Sequence, residues 1–118
     1  MFDVKQKAME LNGQLVQWRR TVHATPEVGF NTAVTEKFIV DELKKIGVTD
    51  IQHGGGRRGV VALIKGKKEG RVLGIRADYD ALNMTEDTGL PFAATNGNMH
   101  ACGHDGHAAI LLGTAKLL

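Results

Sequence analysis

Val4, Ala8, Leu11, Leu15, Trp18 and Val22 recur at steps of four and three, which lines them along one face of a helix. Lys5, Lys7, Glu10, Gln14, Gln17 and Arg20 fall largely off that line. The spacing predicts one helix ending short of Pro26, which biases Thr25 away from helical geometry and has no N–H to donate. Residues 23–31 then read as a connecting loop. A second helix is expected from about Thr32, a plausible N-cap, with Glu36 near its positive end. Val34, Phe38, Ile39, Leu43 and Ile46 form its apolar face, and Gly47 stands where a helix stops.

From Val48 the period changes. Residues 48–53 alternate weakly and read as a short strand, and 54–59 as a glycine-rich turn. Residues 60–64 and 71–77 are stronger strand candidates, and the charged, glycine-containing stretch 65–70 predicts a hairpin between them. Their nearly continuous apolar character suggests strands covered on both faces, with helices packed on a sheet. Residues 78–107 have little periodicity and are dense in Asp, Asn, His and Gly; so long a loop in a compact domain is functional or disordered. The last segment, 108–118, is helical in propensity but apolar nearly all round, so it expects neighbours on every side.

Composition narrows the class. With 118 residues, 42% hydrophobic and 24% charged, the chain fits a single globular core and excludes a disordered tail. No apolar run approaches the ~20 residues of a membrane span. The N-terminus lacks the apolar stretch of a secretory signal and the single cysteine cannot form an internal disulfide, so a cytoplasmic location is expected. A net charge of +2 from 15 basic and 13 acidic residues gives no argument for nucleic acid or an anionic membrane as partner. Gly54-Gly55-Gly56 does not match phosphate-loop or dinucleotide spacing. The absence of serine removes a Ser-His-Asp triad.

Chemistry concentrates in His100-Ala-Cys-Gly-His-Asp-Gly-His107, where His100, Cys102, His104, Asp105 and His107 fall within eight residues. On an extended backbone Cys102 and His104 would share one side. Thiolate and imidazole suit Zn²⁺ and its borderline-soft neighbours better than Mg²⁺ or Ca²⁺. Asp105 is a candidate to orient an imidazole. His107 could equally cap or pack, and a thiol nucleophile at Cys102 activated by His104 or His107 is a minor alternative. A second cluster, Ile75-Arg-Ala-Asp-Tyr-Asp-Ala-Leu82, leaves the best strand candidate. Asp78 and Asp80 there are candidates to ligate a metal, to hold a metal-bound histidine, or simply to satisfy turn amides.

These motifs, with Thr88-Gly-Leu-Pro-Phe92 and Trp18-Arg-Arg-Thr-Val-His-Ala-Thr-Pro-Glu27, resemble the metal-dependent amidohydrolases of the aminoacylase/carboxypeptidase superfamily. The likeness is greatest to its branch of hippurate hydrolases, auxin-conjugate hydrolases and N-acyl-amino-acid amidohydrolases. It implies a three-layer α/β/α zinc-peptidase-like catalytic domain, with residues 1–118 as its N-terminal portion and the lid/dimerisation domain and the remainder of the catalytic domain absent. It implies two divalent ions, Zn²⁺, Mn²⁺ or a relative, with Cys102 and His104 as metal ligands and Asp80 behind the site. The implied reaction is attack of metal-activated water on the amide of a small N-acyl amino acid or related conjugate, with a glutamate as general base. Family members often form homo-oligomers through the dimerisation domain. Asn83 stands where the branch commonly has proline, and Thr25 where it has a second histidine. None of Glu10, Glu27, Glu36, Glu42, Glu69 and Glu86 occupies the base's motif, so this chain alone is expected to be inactive. The alternative is a non-catalytic metal-binding or structural remnant of such an enzyme.

Overall fold

The computed structural model describes residues 2–54 and 58–118. The elements run α1 (Val4–Glu10), α2 (Asn12–His23), α3 (Ala33–Ile46), β1 (Asp50–His53), β2 (Val60–Leu63) and α4 (His104–Leu117).

The single N-terminal helix predicted from the apolar stripe is two. Leu11 closes α1 as its C-cap and opens α2, and the break falls just before Asn12 and Gly13, two weak helix formers. Asp3 caps α1 by accepting from the Gln6 amide at 3.0 Å. Only the distal half of the stripe is deeply buried, at Trp18 and Val22, while Val4 is exposed.

Helix α3 follows the expected bounds, with Thr32 at the N-cap position and Gly47 beyond the last turn at φ 103°, a left-handed conformation that glycine adopts without a Cβ penalty. The Thr32 side chain makes no capping bond. Glu27 does that work from the preceding loop, accepting from the amides of Val34 and Thr35 and from the Thr35 hydroxyl. The buried face is rotated from the expected one. Thr35, Glu36, Val40 and Leu43 are buried, and Val34 is 57% exposed.

The sheet differs most from expectation. β1 pairs antiparallel with β2, in the register Asp50↔Leu63 to His53↔Val60. The hairpin therefore closes around 54–59 rather than 65–70; part of that predicted turn, residues 55–57, lies outside the described residues. Residues 71–77 carry no strand assignment, and Val72 and Leu73 are 89% and 81% exposed. Apolar, β-branched residues give strand propensity, but a strand is stabilised only by a paired neighbour, and β2 takes β1 as its partner. Nor is β2 covered on both faces: Val60 and Ala62 pack inward while Val61 and Leu63 stay exposed.

The core joins Trp18 of α2, Leu43 of α3, Val48, and Ala109, Leu112 and Ala115 of α4. Leu15, Phe38, Ile39, Ile46, Ile51, Val60, Ala62 and Ile64 complete it. The Trp18 indole N–H donates to Glu42 at 2.8 Å, tying α2 to α3 at the edge of the core. Helix α4 packs mainly on α2 and next on α3. It comes close because Gly113 has no side chain: a Cβ there would lie 2.6 Å from Leu15 Cδ2. The helix is not covered all round, since Ile110 is exposed. Among the described residues no helix is long and apolar enough to cross a membrane.

Candidate metal centre

Two isolated bridges shape the long segment between β2 and α4. Ala81 pairs parallel with Val28, and Leu82 pairs antiparallel with Met99. They bring residues 78–82 alongside the turn that starts α4. Gly103, at φ 88°, precedes the helix, so residues 102–104 are not the extended run in which alternate side chains share a side. His104 is the first helical residue, four positions earlier than the apolar pattern indicates.

The His104 ring is held from one side. Its Nδ1 lies 2.9 Å from the Asp80 carbonyl oxygen and 3.0 Å from Asp80 Oδ1. Both are acceptors, so in the neutral ring Nδ1 carries the proton and Nε2 the lone pair. That free nitrogen lies 3.6 Å from Asp78 Oδ1. The same carboxylate oxygen accepts from His107 Nδ1 at 2.6 Å, and the two imidazoles stack with centroids 5.3 Å apart. The His107 hydrogen bond is the main influence holding the Asp78 carboxyl below its ordinary pKa. One ligand atom each from Asp78, His104 and His107 lies within 4.8 Å of the others. Among the described residues this is the one such group of three or more His, Cys, Asp or Glu side chains.

The candidates named from sequence thus occupy distinct places. His104, Asp78 and Asp80 meet, and His107 joins them. Cys102 is exposed with a free thiol and stands outside the three-residue group. Asp105 faces the interior, fully buried, and its Oδ2 accepts from His23 Nδ1 at 2.8 Å and from Arg19 Nε at 3.1 Å. Burial alone would raise its pKa, but the His23 hydrogen bond, the Gly106 amide and the Arg19 charge together hold it below the ordinary value. His100 is buried, and burial depresses its pKa, so it forms a neutral wall rather than a charged group.

Three participants in this neighbourhood escaped the sequence reading: His23, Glu86 and Arg19. His23 closes α2 and is buried, its Nε2 lying 2.8 Å from Glu86 Oε1. Glu86 also accepts from the Ala94 amide at 3.0 Å and from the Thr88 hydroxyl. The Ala94 and Thr88 hydrogen bonds, followed by His23, lower its pKa to about 2. The one signal available was the stretch 18–27, which holds both Arg19 and His23 but assigns neither a task.

The group that meets, two imidazoles and a carboxylate with one imidazole held by Asp80, is a donor set that fits a divalent metal ion.

Residues 74–118 match the model of peptidase family M20/M25/M40. The chain is 41% identical over 116 residues to an N-acyl-L-amino acid amidohydrolase of Geobacillus stearothermophilus, covering 98% of this chain and 31% of the relative. It is 40% identical over 111 residues to the hippurate hydrolase of Campylobacter jejuni, covering 93% and 29%. Its fold superposes with a TM-score of 0.87 on the crystal structure of the Bacillus subtilis YXEP protein, described as a dinuclear metal-binding peptidase from the M20 family. That match has 42% identity over 93% of this chain and 31% of the other. The chain therefore spans about 30% of the length of the relatives it matches.

Proposed function

Because the chain belongs to peptidase family M20/M25/M40, we propose that it contributes Cys102 and His104 to a two-ion centre that hydrolyses the amide bond of a small N-acyl amino acid. The observation that carries this reading is the fixed His104 ring, with Nδ1 held by Asp80 and Nε2 left open beside Asp78. The named activities of the relatives support the substrate class.

The residues divide the work as follows. Cys102 supplies a thiolate and His104 its Nε2. Asp80 retains the Nδ1 proton, which fixes the ring's tautomer and raises the basicity of the opposite nitrogen. Asp78, kept ionised by its His107 hydrogen bond, places negative charge beside the two imidazoles. A bound Zn²⁺, Mn²⁺ or related ion would supply a water of near-neutral pKa and polarise the substrate carbonyl. Glu10, Glu27, Glu36, Glu42 and Glu86 are each engaged by other partners, and none joins the Asp78–His104–His107 group. On this reading residues 1–118 are the N-terminal portion of a catalytic domain, no general base is assigned among the described residues, and no turnover by the chain alone is expected. A cytoplasmic setting, where the thiol stays reduced, suits this ligand set.

Cobalt titration of the chain tests the reading. A sulfur-to-cobalt charge-transfer band is expected, lost in Cys102→Ser and weakened at least ~10-fold in affinity by His104→Asn. Absence of the band in the wild-type chain, or its persistence in Cys102→Ser, overturns the ligand assignment. Hippurate hydrolysis by the chain alone would overturn the division of labour.

A further inference from the structure

Helix α4 begins without a side-chain cap: Gly103 occupies the N-cap position and makes no such bond. With Gly103 and Gly106 on either side of His104 and Asp105, this first turn has little stiffness of its own. Something else must hold the residue that presents the ligand. The structure supplies it from the opposite end of the chain. The Asp105 carboxylate, next in sequence to His104, is fully buried and is gripped by His23 and Arg19 of α2. His23 is itself clamped, with Nδ1 on Asp105 and Nε2 on Glu86, both at 2.8 Å. Phe92 meets the ring edge-on, with centroids 5.4 Å apart.

We infer that His23 is a positioning residue for the metal centre: through Asp105 it fixes the first turn of α4 and so the aim of His104. The inference rests on the reading of His104 as a ligand, but its geometric content is independent of any ion. His104 and Asp105 are adjacent on the helix, so their side chains diverge by about 100°. Anchoring the inward one sets the rotation of the turn and, with it, the distance from His104 Nδ1 to Asp80.

Two substitutions separate the two ring contacts. In His23→Asn the amide nitrogen replaces Nδ1 and keeps the bond to Asp105. In His23→Gln it replaces Nε2 and keeps the bond to Glu86. The readout is the ¹⁵N imidazole spectrum of His104 in the metal-free full chain, at a pH where the ring is neutral. Wild type and His23→Asn are expected to hold the proton on Nδ1; in His23→Gln that tautomer is lost as the dominant form. Cobalt affinity follows, falling about 10-fold in His23→Gln and little in His23→Asn. A structural role alone would lower the melting temperature of both without moving the tautomer. Retention of the Nδ1 proton in both variants, or its equal loss in both, overturns the inference. Should the His23 variants not fold, Asp105→Asn tests it from the other side: replacing the charged acceptor weakens the grip of His23 and must lower the share of the Nδ1 tautomer of His104, and an unchanged tautomer refutes the role. A chain that binds no cobalt yet shows the tautomer pattern sinks the metal reading and leaves the positioning intact.

Discussion

Leu112 is 2% exposed and lies in the core cluster with Trp18, so Leu112→Ala measures how firmly the helix that carries His104 is docked. Three carbons are removed. At about 0.8 kcal/mol per buried methylene, the transfer loss is roughly 2.4 kcal/mol. A residual cavity adds to this, since the Trp18 ring is held in place by its bond to Glu42 and cannot collapse freely. Leu15, at the close approach to Gly113, is the side chain best placed to fill part of the gap. The expected loss is about 3 kcal/mol, inside the ~2–5 kcal/mol range for such truncations. Trp18 is the sole tryptophan and is buried at this contact, so urea unfolding followed by its fluorescence reports directly. For a urea slope of about 1.5 kcal/mol per molar, the midpoint should fall by about 2 M with the slope unchanged. A loss below about 1 kcal/mol would refute the packing of α4 on α2 described here. A reduced slope would instead show that the native or unfolded state had changed in compactness.

Other outcomes follow from single contacts. Glu86, at about 2 in the folded chain, binds its proton more readily when unfolded, so its contribution to stability is complete above about pH 4.5 and drains away as pH falls towards 2; Glu86→Gln should flatten the pH dependence of the urea midpoint in that window, and an unchanged slope would contradict its bonds to Ala94 and Thr88. Gly113→Val places branched carbon where a Cβ alone would meet Leu15 at 2.6 Å; overpacking should cost about 1–3 kcal/mol, read as a lower melting temperature. Asp78→Asn removes the charge beside His104 and His107 and should weaken cobalt binding about 10-fold in an otherwise folded chain; equal affinity would exclude Asp78 from the centre.

What could be seen in the sequence was what local periodicity and local ligand density encode. α3 was legible in both bounds because apolar spacing and a terminal glycine agree, although its buried face was misplaced: Glu36 is buried through contacts with His53 and Arg58 that no hydropathy pattern contains. The run 71–77 reads as a strand candidate alongside 60–64, yet pairing decides which becomes a strand, and pairing is not a property of one segment. At the candidate centre, the motifs at 78–80 and 102–107 were each visible. That His104 rests on Asp80, and that Asp105 turns inward to α2, depends on how separate segments meet. His23 and Glu86 sit in stretches without periodic signal, and their partners lie 82 and 63 residues away.

Those separations have a kinetic consequence. Arg19 and Asp105 are 86 positions apart, so α2 leaves the ribosome well before the residues that its polar end will hold. Joining ends over such a span adds little free-energy cost per doubling of length, but nothing local rewards the search until both partners exist. The turn bearing Cys102 and His104 should therefore be among the last parts to become ordered. Any ion captured before that moment would meet a floppy thiol and ring, not a prepared cradle.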